Sequence, residues 1–137
     1  MAEIRQKDTS NFNGSRFLVV DDIQDNRTLE SLFLQKTGAQ VEFAINGLEA
    51  IDKALRGDFD AVLMDLHMPV LDGITAAAHL RHKGYKKPII AVTADCQQVV
   101  RKLAFETGFD DFISKPLSSF QLLSSLRKFC RQKTKEI

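Results

Sequence analysis

Acidic side chains stand directly after two strand-like apolar runs of this 137-residue chain. The run 17–20 is followed by Asp21 and Asp22, and the run 61–64 is followed by Asp65. Three carboxylates in one small pocket would repel one another unless a cation joined them, and Mg²⁺ (or Mn²⁺) prefers such oxygen ligands. A single Asp at such a position often only caps the helix that follows. The three acids together favour a divalent-metal site.

Two further apolar runs end near a hydroxyl and an ammonium group. The run 89–92 leads to Thr93, and the run 112–113 lies just before Lys115. A hydroxyl and an ammonium that face carboxylates are suited to holding an anion, such as a phosphoryl group, beside a metal. A lone lysine is usually a solvated surface residue, and a lone threonine is a common strand residue. The hypothesis of a phosphoryl site therefore depends on the whole set.

The elements that must position these residues are predicted from the alternation of short apolar runs with amphipathic segments. Five strand–helix pairs imply an α/β fold, in which a parallel sheet carries helices on both faces. Right-handed crossovers favour a flavodoxin-like, doubly wound (βα)5 sheet with strand order 2-1-3-4-5. In that fold the carboxyl ends of the strands gather at one edge, so the acids, the hydroxyl and the ammonium group would converge.

Local signals predict where individual helices lie. Leu29, Leu32 and Phe33 recur at helical spacing and predict the apolar stripe of the first helix. A helix is expected over about 72–82, and Ser118 or Ser119 can cap a last helix.

Length and composition indicate one domain, with 1–15 as a flexible lead-in or linker, 16–130 as the domain and 131–137 as a charged tail. The formal net charge of +1 gives no reason to expect direct binding of nucleic acid. No apolar run approaches the roughly 20 residues of a membrane span, so we expect no membrane insertion and a cytoplasmic location. Cys96 and Cys130 lack CxxC spacing, which predicts two free thiols.

The chain resembles the receiver domain of response regulators in two-component and phosphorelay systems. The resemblance covers about Arg16 to Phe129. It includes the family's five signature positions in their usual order and approximate spacing. The matching segments are Leu18-Val19-Val20-Asp21-Asp22, Met64-Asp65-Leu66-His67-Met68-Pro69-Val70-Leu71-Asp72-Gly73, Val92-Thr93-Ala94, Ser114-Lys115-Pro116, Asn46-Gly47-Leu48-Glu49-Ala50 and Gly108-Phe109-Asp110-Asp111-Phe112.

The resemblance implies that Asp65 accepts a phosphoryl group from a phosphohistidine on a histidine kinase or a histidine phosphotransfer domain. It also implies that Asp22 ligates Mg²⁺ directly, that Asp21 does so partly through water, and that the metal contacts Asp65 and the backbone carbonyl of His67. Such a domain is a phospho-acceptor that catalyses its own phosphorylation and dephosphorylation, and is not an enzyme acting on separate substrates.

The remaining family positions concern the phosphorylated state. By resemblance, Lys115 pairs with the acceptor and then with the acyl phosphate, and Thr93 turns its hydroxyl onto a phosphoryl oxygen. The resemblance also implies a cis peptide bond between Lys115 and Pro116. Phe112 occupies the aromatic switch position, where many members carry Tyr; a plain core Phe is the alternative. His67 and Asp95 border the phosphoryl group and tune its lifetime. The switched surface comprises the fourth helix, fifth strand and fifth helix.

Segments 12–16 and 22–27 look more like receivers of hybrid sensor kinases than of stand-alone regulators. A parent hybrid kinase could tether the domain to the inner membrane. Three other functions stay open on the sequence. A haloacid-dehalogenase-type phosphatase would need an Asp where His67 stands, a receiver-like interaction module would typically have lost a signature residue, and a flavodoxin-type binder would need a glycine loop after the first strand. A zinc site of His67, His82 and Cys96 lacks a recognised ligand spacing.

Overall fold

The computed structural model describes residues 10–130 and contains one parallel sheet flanked by helices. The strand order is β2-β1-β3-β4-β5, which confirms the predicted flavodoxin-like doubly wound fold. The strands are β1 (Arg16–Val20), β2 (Gln40–Ala44), β3 (Ala61–Met64), β4 (Ile89–Thr93) and β5 (Asp111–Ser114). The helices are α1 (Gln24–Gln35), α2 (Gly47–Arg56), α3 (Gly73–His82), α4 (Gln98–Thr107) and α5 (Ser119–Phe129).

The central strands are continuously apolar because both faces of the sheet are covered. All residues of β3 and β4 are buried. Side chains of successive strand residues alternate between two cores: Leu18 and Val20 pack on the side of α2, α3 and α4, whereas Phe17 and Val19 pack on the side of α1 and α5. Helices therefore cover both faces of the sheet, and polar groups gather at its carboxyl edge.

Local capping fixes where several helices begin. The side chains of Asn46 and Asp72 accept hydrogen bonds from the third residue beyond them and cap α2 and α3. Ser118, one of the two serines considered above, caps α5 in a reciprocal arrangement with Gln121.

The buried face of α1 differs from the predicted stripe. Leu29 and Leu32 are exposed, whereas Glu30, Ser31 and Leu34 are buried. Part of the buried face of α1 lies near the acids at the sheet edge, and Glu30 occupies that part. The buried face of α1 therefore differs from the stripe formed by its leucines.

The described part of the expected lead-in, residues 10–15, is not a flexible linker. Phe12 is fully buried, packs edge-to-face on Phe17 with ring centroids 5.5 Å apart, and donates its backbone N–H to the Thr37 carbonyl at 2.9 Å. The apolar area that the Phe12 ring removes from water outweighs the flexibility suggested by its polar neighbours. The rest of the lead-in, 1–9, and the tail, 131–137, lie outside the described residues, so the outer domain bounds remain predictions.

Both cysteines of the described chain, Cys96 and Cys130, are free thiols, as predicted. Among residues 10–130, no helix combines the length and apolar character that crossing a bilayer requires.

Candidate functional site

The three acids meet at the carboxyl edge of the sheet. Strands β1 and β3 are neighbours with Val20 opposite Met64, so the residues that follow them, Asp21 and Asp65, lie side by side. Carboxylate oxygens of Asp21, Asp22 and Asp65 all lie within 4.8 Å of one another. Asp21 and Asp65 are buried, with 1% and 8% of their surface exposed, whereas Asp22 is open to solvent. This oxygen-only donor set suits a hard divalent cation such as Mg²⁺.

Lys115 supplies the positive charge of the pocket from the loop after β5. Its Nζ donates hydrogen bonds to Asp21 Oδ2 at 2.7 Å and to Asp65 Oδ2 at 3.0 Å. Burial alone would lower the pKa of Lys115, but the two carboxylate hydrogen bonds outweigh it and raise that pKa above its ordinary value. The lysine is therefore a permanent cation shared by two acids. The peptide bond between Lys115 and Pro116 is cis, as the resemblance implied.

Asp21 is fixed by several contacts and does not cap α1 in the ordinary way. Its Oδ1 accepts hydrogen bonds from the Ile23 backbone N–H at 2.9 Å and from Asn26 Nδ2 at 3.3 Å. Arg27 Nη1 donates to the Asp21 carbonyl at 2.8 Å. The N-cap residue of α1 is Ile23, which has no side-chain cap. A capping role alone therefore does not explain the acid pair.

The tight loop after β3 leads into α3 at Gly73, where a larger residue would not fit. Pro69 accepts a hydrogen bond from the Leu71 N–H at 2.8 Å across Val70, whose φ is 72°, so the chain reverses within three residues. A Cβ on Gly73 would lie 2.2 Å from the carbonyl oxygen of Asp65. Only glycine allows α3 to start this close to the backbone of Asp65.

Thr93 ends β4, which borders β3 on the side opposite β1. It is buried, and its Oγ1 accepts a hydrogen bond from the Asp95 N–H at 3.2 Å. Its carbonyl accepts a hydrogen bond from the Lys115 N–H at 2.8 Å, which ties the hydroxyl and ammonium residues together through the backbone. The predicted convergence of the strand ends therefore holds for the threonine also.

His67 and Asp95 are in direct contact, which the sequence did not indicate. His67 Nε2 lies 2.7 Å from Asp95 Oδ2, and this bridge joins the loop after β3 to the loop after β4. The hydrogen bond from His67 is the main cause of a lowered pKa of Asp95. Among residues 10–130, the side chains that come together in a group of three or more possible metal ligands are Asp21, Asp22 and Asp65. His67, His82 and Cys96 do not form such a group, so the zinc site has no support from the structure.

Phe112 lies within β5, opposite Ala91 of β4. Its ring is turned inward and only 7% of its surface is exposed, in the core on the side of α2, α3 and α4. Its neighbour Asp111 accepts a hydrogen bond from Ser125 Oγ at 2.6 Å, which ties β5 to α5.

Glu30 is a buried acid near the site that the sequence analysis missed. It lies on α1, one turn beyond Asn26 and Arg27, and 2% of its surface is exposed. Burial raises the pKa of Glu30 to about 8, and the negative charge of Asp21 adds to the rise. Glu30 follows Asn26 by four residues and Arg27 by three, and both of those residues contact Asp21. This helical spacing could have indicated that Glu30 lies on the same face of α1.

Comparison with known proteins identifies the family. The model of the response regulator receiver domain matches residues 17–127. The chain is 38% identical over 112 residues to two-component response regulator 24 of Arabidopsis thaliana, covering 81% of each protein. It is 40% identical over 107 residues to hybrid signal transduction histidine kinase G of Dictyostelium discoideum, covering 74% of the chain but 3% of the kinase, so it spans a small part of that relative.

A solved structure agrees with this assignment. The receiver domain of the sensor histidine kinase PA1611 from Pseudomonas aeruginosa PAO1, with magnesium coordinated in its active-site cleft, is 34% identical with a TM-score of 0.78. The match covers 85% of this chain and 97% of that domain. With the fold, the carboxylate edge and the family model in agreement, the chain belongs to the family of response regulator receiver domains.

Proposed function

We propose that Asp65 is the phospho-acceptor of this receiver domain and takes its phosphoryl group from a phosphohistidine. The observation that carries the proposal is the hydrogen bond of Lys115 Nζ to Asp65 Oδ2 at 3.0 Å, within a cluster of three carboxylates. The acceptor carboxylate is thus held, almost entirely buried, beside a fixed cation. The natural donors are a histidine kinase or a histidine phosphotransfer domain; both depend ultimately on ATP, from which we infer a cytoplasmic location, with tethering through a parent hybrid kinase as one arrangement.

Mg²⁺ or Mn²⁺ fits the residues of the pocket. One lysine leaves the negative charge of the three acids only partly neutralised, which is the condition under which a divalent cation is favoured. Asp22 would bind the ion directly, Asp21 partly through water, and Asp65 together with the His67 carbonyl would complete the protein ligands. A bound cation would supply neutralisation of the charge that develops on the phosphoryl oxygens.

The chain's own residues account for the transfer step. A carboxylate oxygen of Asp65 attacks phosphorus, the bond between phosphorus and the donor's imidazole nitrogen breaks, and the nitrogen keeps the electron pair. Lys115 orients the attacking carboxylate and then pairs with the acyl phosphate. Positioning and electrostatics do most of the work in such loose transition states. Water attack on the phosphorus of the mixed anhydride regenerates Asp65, so the domain catalyses both its phosphorylation and its dephosphorylation.

The phosphorylated state would be read by the switch residues. The Thr93 hydroxyl turns onto a phosphoryl oxygen and draws its loop inward, and Phe112 responds through the neighbouring strand. The surface formed by α4, β5 and α5 then changes and binds its target differently.

The competing functions have less support. His67 stands where a haloacid-dehalogenase-type phosphatase needs a second Asp, and the family model instead matches receiver domains. The three acids lie together and Lys115 contacts Asp21 and Asp65, so the signature residues of which a pure interaction module would typically have lost one are present.

The proposal is tested by incubating the protein with acetyl phosphate and Mg²⁺ and recording its intact mass. One added phosphoryl group is expected, and it should be lost when a chelator removes the metal or when Asp65→Asn removes the nucleophile. Asp52→Asn is the matched control, because Asp52 is an exposed acid on α2 that pairs with Arg56. The proposal fails if no phosphodonor adds a phosphoryl group, or if Asp65→Asn is modified as fully as the unaltered protein.

The His67–Asp95 bridge is expected to slow dephosphorylation. It links the two loops that flank Asp65 and Thr93, so breaking it should give water easier access to the acyl phosphate. We expect His67→Ala and Asp95→Ala to shorten the phosphoryl lifetime severalfold, on the order of 1 kcal/mol in the barrier, without abolishing phosphorylation. Decay of the phosphoprotein after removal of the donor measures this. His79→Ala, a change of an exposed histidine on α3, is the control, and unchanged decay in both bridge variants would contradict the prediction.

A further inference from the structure

The guanidinium group of Arg101 lies against two aromatic rings. Its Cζ is 5.3 Å from the centroid of the Phe105 ring, one turn along α4, and 5.3 Å from the centroid of the Phe112 ring on β5. Both distances fall within the range of a cation–π attraction. Among residues 10–130, the ion pair found on α4 joins Lys102 and Glu106 and does not include Arg101, so the two rings are the main partners of its charge.

Arg101 and the Phe112 ring border an open space between α4 and α5. The ring now packs inward among the core residues, yet it also lines a surface cavity of about 390 Å³. Arg101 from α4 and Phe120 from α5 line the same cavity. This volume would accept the ring after an outward rotation, whereas the 5.3 Å contact with the Arg101 guanidinium belongs to the inward position of the ring.

We infer that Arg101 is a latch that holds the Phe112 ring inward. A tyrosine at this position could be held by a hydrogen bond from its hydroxyl, which phenylalanine lacks. The face of the ring instead attracts the guanidinium through its quadrupole. The inference rests on the proposed function in one respect: if phosphorylation favours the inward ring, a latch on that ring also raises the affinity of the pocket for a phosphoryl group, because coupling between two sites is reciprocal.

Binding of beryllofluoride with Mg²⁺, a mimic of the phosphoryl group, provides the first test. Arg101→Met keeps a long apolar side chain but removes the charge, and should weaken beryllofluoride binding about two- to fivefold, as expected for an exposed cation–π contact. Lys102→Met is the matched control, because it also removes one positive charge from α4. Lys102 pairs with Glu106 at 4.0 Å, whereas Arg101 contacts the aromatic rings. Titration followed by NMR or calorimetry gives both affinities.

A double-mutant cycle separates the latch from a general charge effect. In a Phe112→Leu background, Arg101→Met should change the affinity by much less than it does in the unaltered protein. Equal effects of Arg101→Met in the two backgrounds, or equal effects of Arg101→Met and Lys102→Met, would overturn the latch.

The position of the ring provides a test that does not need the phosphoryl site. With fluorinated phenylalanine, the Phe112 resonance can be assigned from its loss in Phe112→Leu. In the free protein, Arg101→Met should move this resonance toward the outward, solvated state, and Lys102→Met should not. An unmoved resonance would overturn the latch, whereas failure of the unaltered protein to bind beryllofluoride at all would count against the proposed function instead.

Discussion

Lys115→Met is expected to slow phosphorylation of Asp65 by at least about a hundredfold, since removing a positioned cation from a phosphoryl-transfer site typically costs several kcal/mol of transition-state stabilisation. Lys115 donates hydrogen bonds to both Asp21 and Asp65, so the variant loses the orientation of the nucleophile as well as the charge. Methionine retains most of the side-chain volume, which limits packing effects. The initial rate of phosphoprotein formation with acetyl phosphate measures the loss.

The same substitution should strengthen metal binding. Without the ammonium group, the three carboxylates face a divalent cation with one positive charge fewer nearby, so the affinity for Mg²⁺ rises while the phosphorylation rate falls. Lys102→Met removes an exposed lysine of α4 and should change neither quantity. A weaker affinity for Mg²⁺ in Lys115→Met, or an unchanged phosphorylation rate, would show that the lysine does not act through its charge on these acids.

Glu30→Gln is expected to stabilise the fold at alkaline pH, by up to a few kcal/mol, because one unit of pKa corresponds to about 1.4 kcal/mol. The pKa of Glu30 is raised from 4.5 to about 8 by burial, with a further contribution from Asp21. Below pH 4.5 both the folded and the unfolded chain hold the proton, so the residue costs nothing. Between pH 4.5 and 8 only the unfolded chain releases it, so the free energy of unfolding falls as pH rises.

Glutamine resembles the protonated carboxyl group and cannot ionise, so its advantage should be small at pH 5 and largest above pH 8. Denaturant unfolding at both pH values, in the presence of a chelator that keeps cations away from the pocket, measures the difference. Glu106→Gln serves as the control, because Glu106 is an exposed acid of α4. If Glu30→Gln changed the free energy of unfolding equally at pH 5 and above pH 8, ionisation of Glu30 would not be the cause.

The parts of the fold predicted correctly from sequence are those set by local pattern and connection rules. The apolar run 61–64 bounded by Asp65 indicated a central parallel strand, and right-handed crossovers left few strand orders. Because parallel strands end at one edge, residues far apart in sequence, such as Asp21 and Lys115, could be expected to meet. Their detailed bonding could not be predicted, since it depends on loop conformations that the sequence pattern does not describe.

The incorrect or missing predictions concern residues whose surroundings come from distant parts of the chain. The apolar spacing of α1 indicated Leu29 and Leu32, but the face that meets the sheet edge carries Glu30 instead. Phe12 was assigned to a linker because its neighbours are polar, although the sheet and α1 leave an apolar site for its ring. In both cases tertiary packing decided against the local pattern.

The packing of residues 10–15 also determines where the chain leaves the domain. Arg127, in the last turn of α5, donates a hydrogen bond to Ser10 Oγ, so both ends of the described chain emerge close together. Cys130 Sγ lies 3.8 Å from the carbonyl of Asp60, the residue just before β3, so they emerge at the amino edge of the sheet, opposite the carboxylates. We therefore expect the domain to tolerate insertion into an unrelated host protein, or circular permutation by joining these ends, without a new segment passing across the edge that carries the acids.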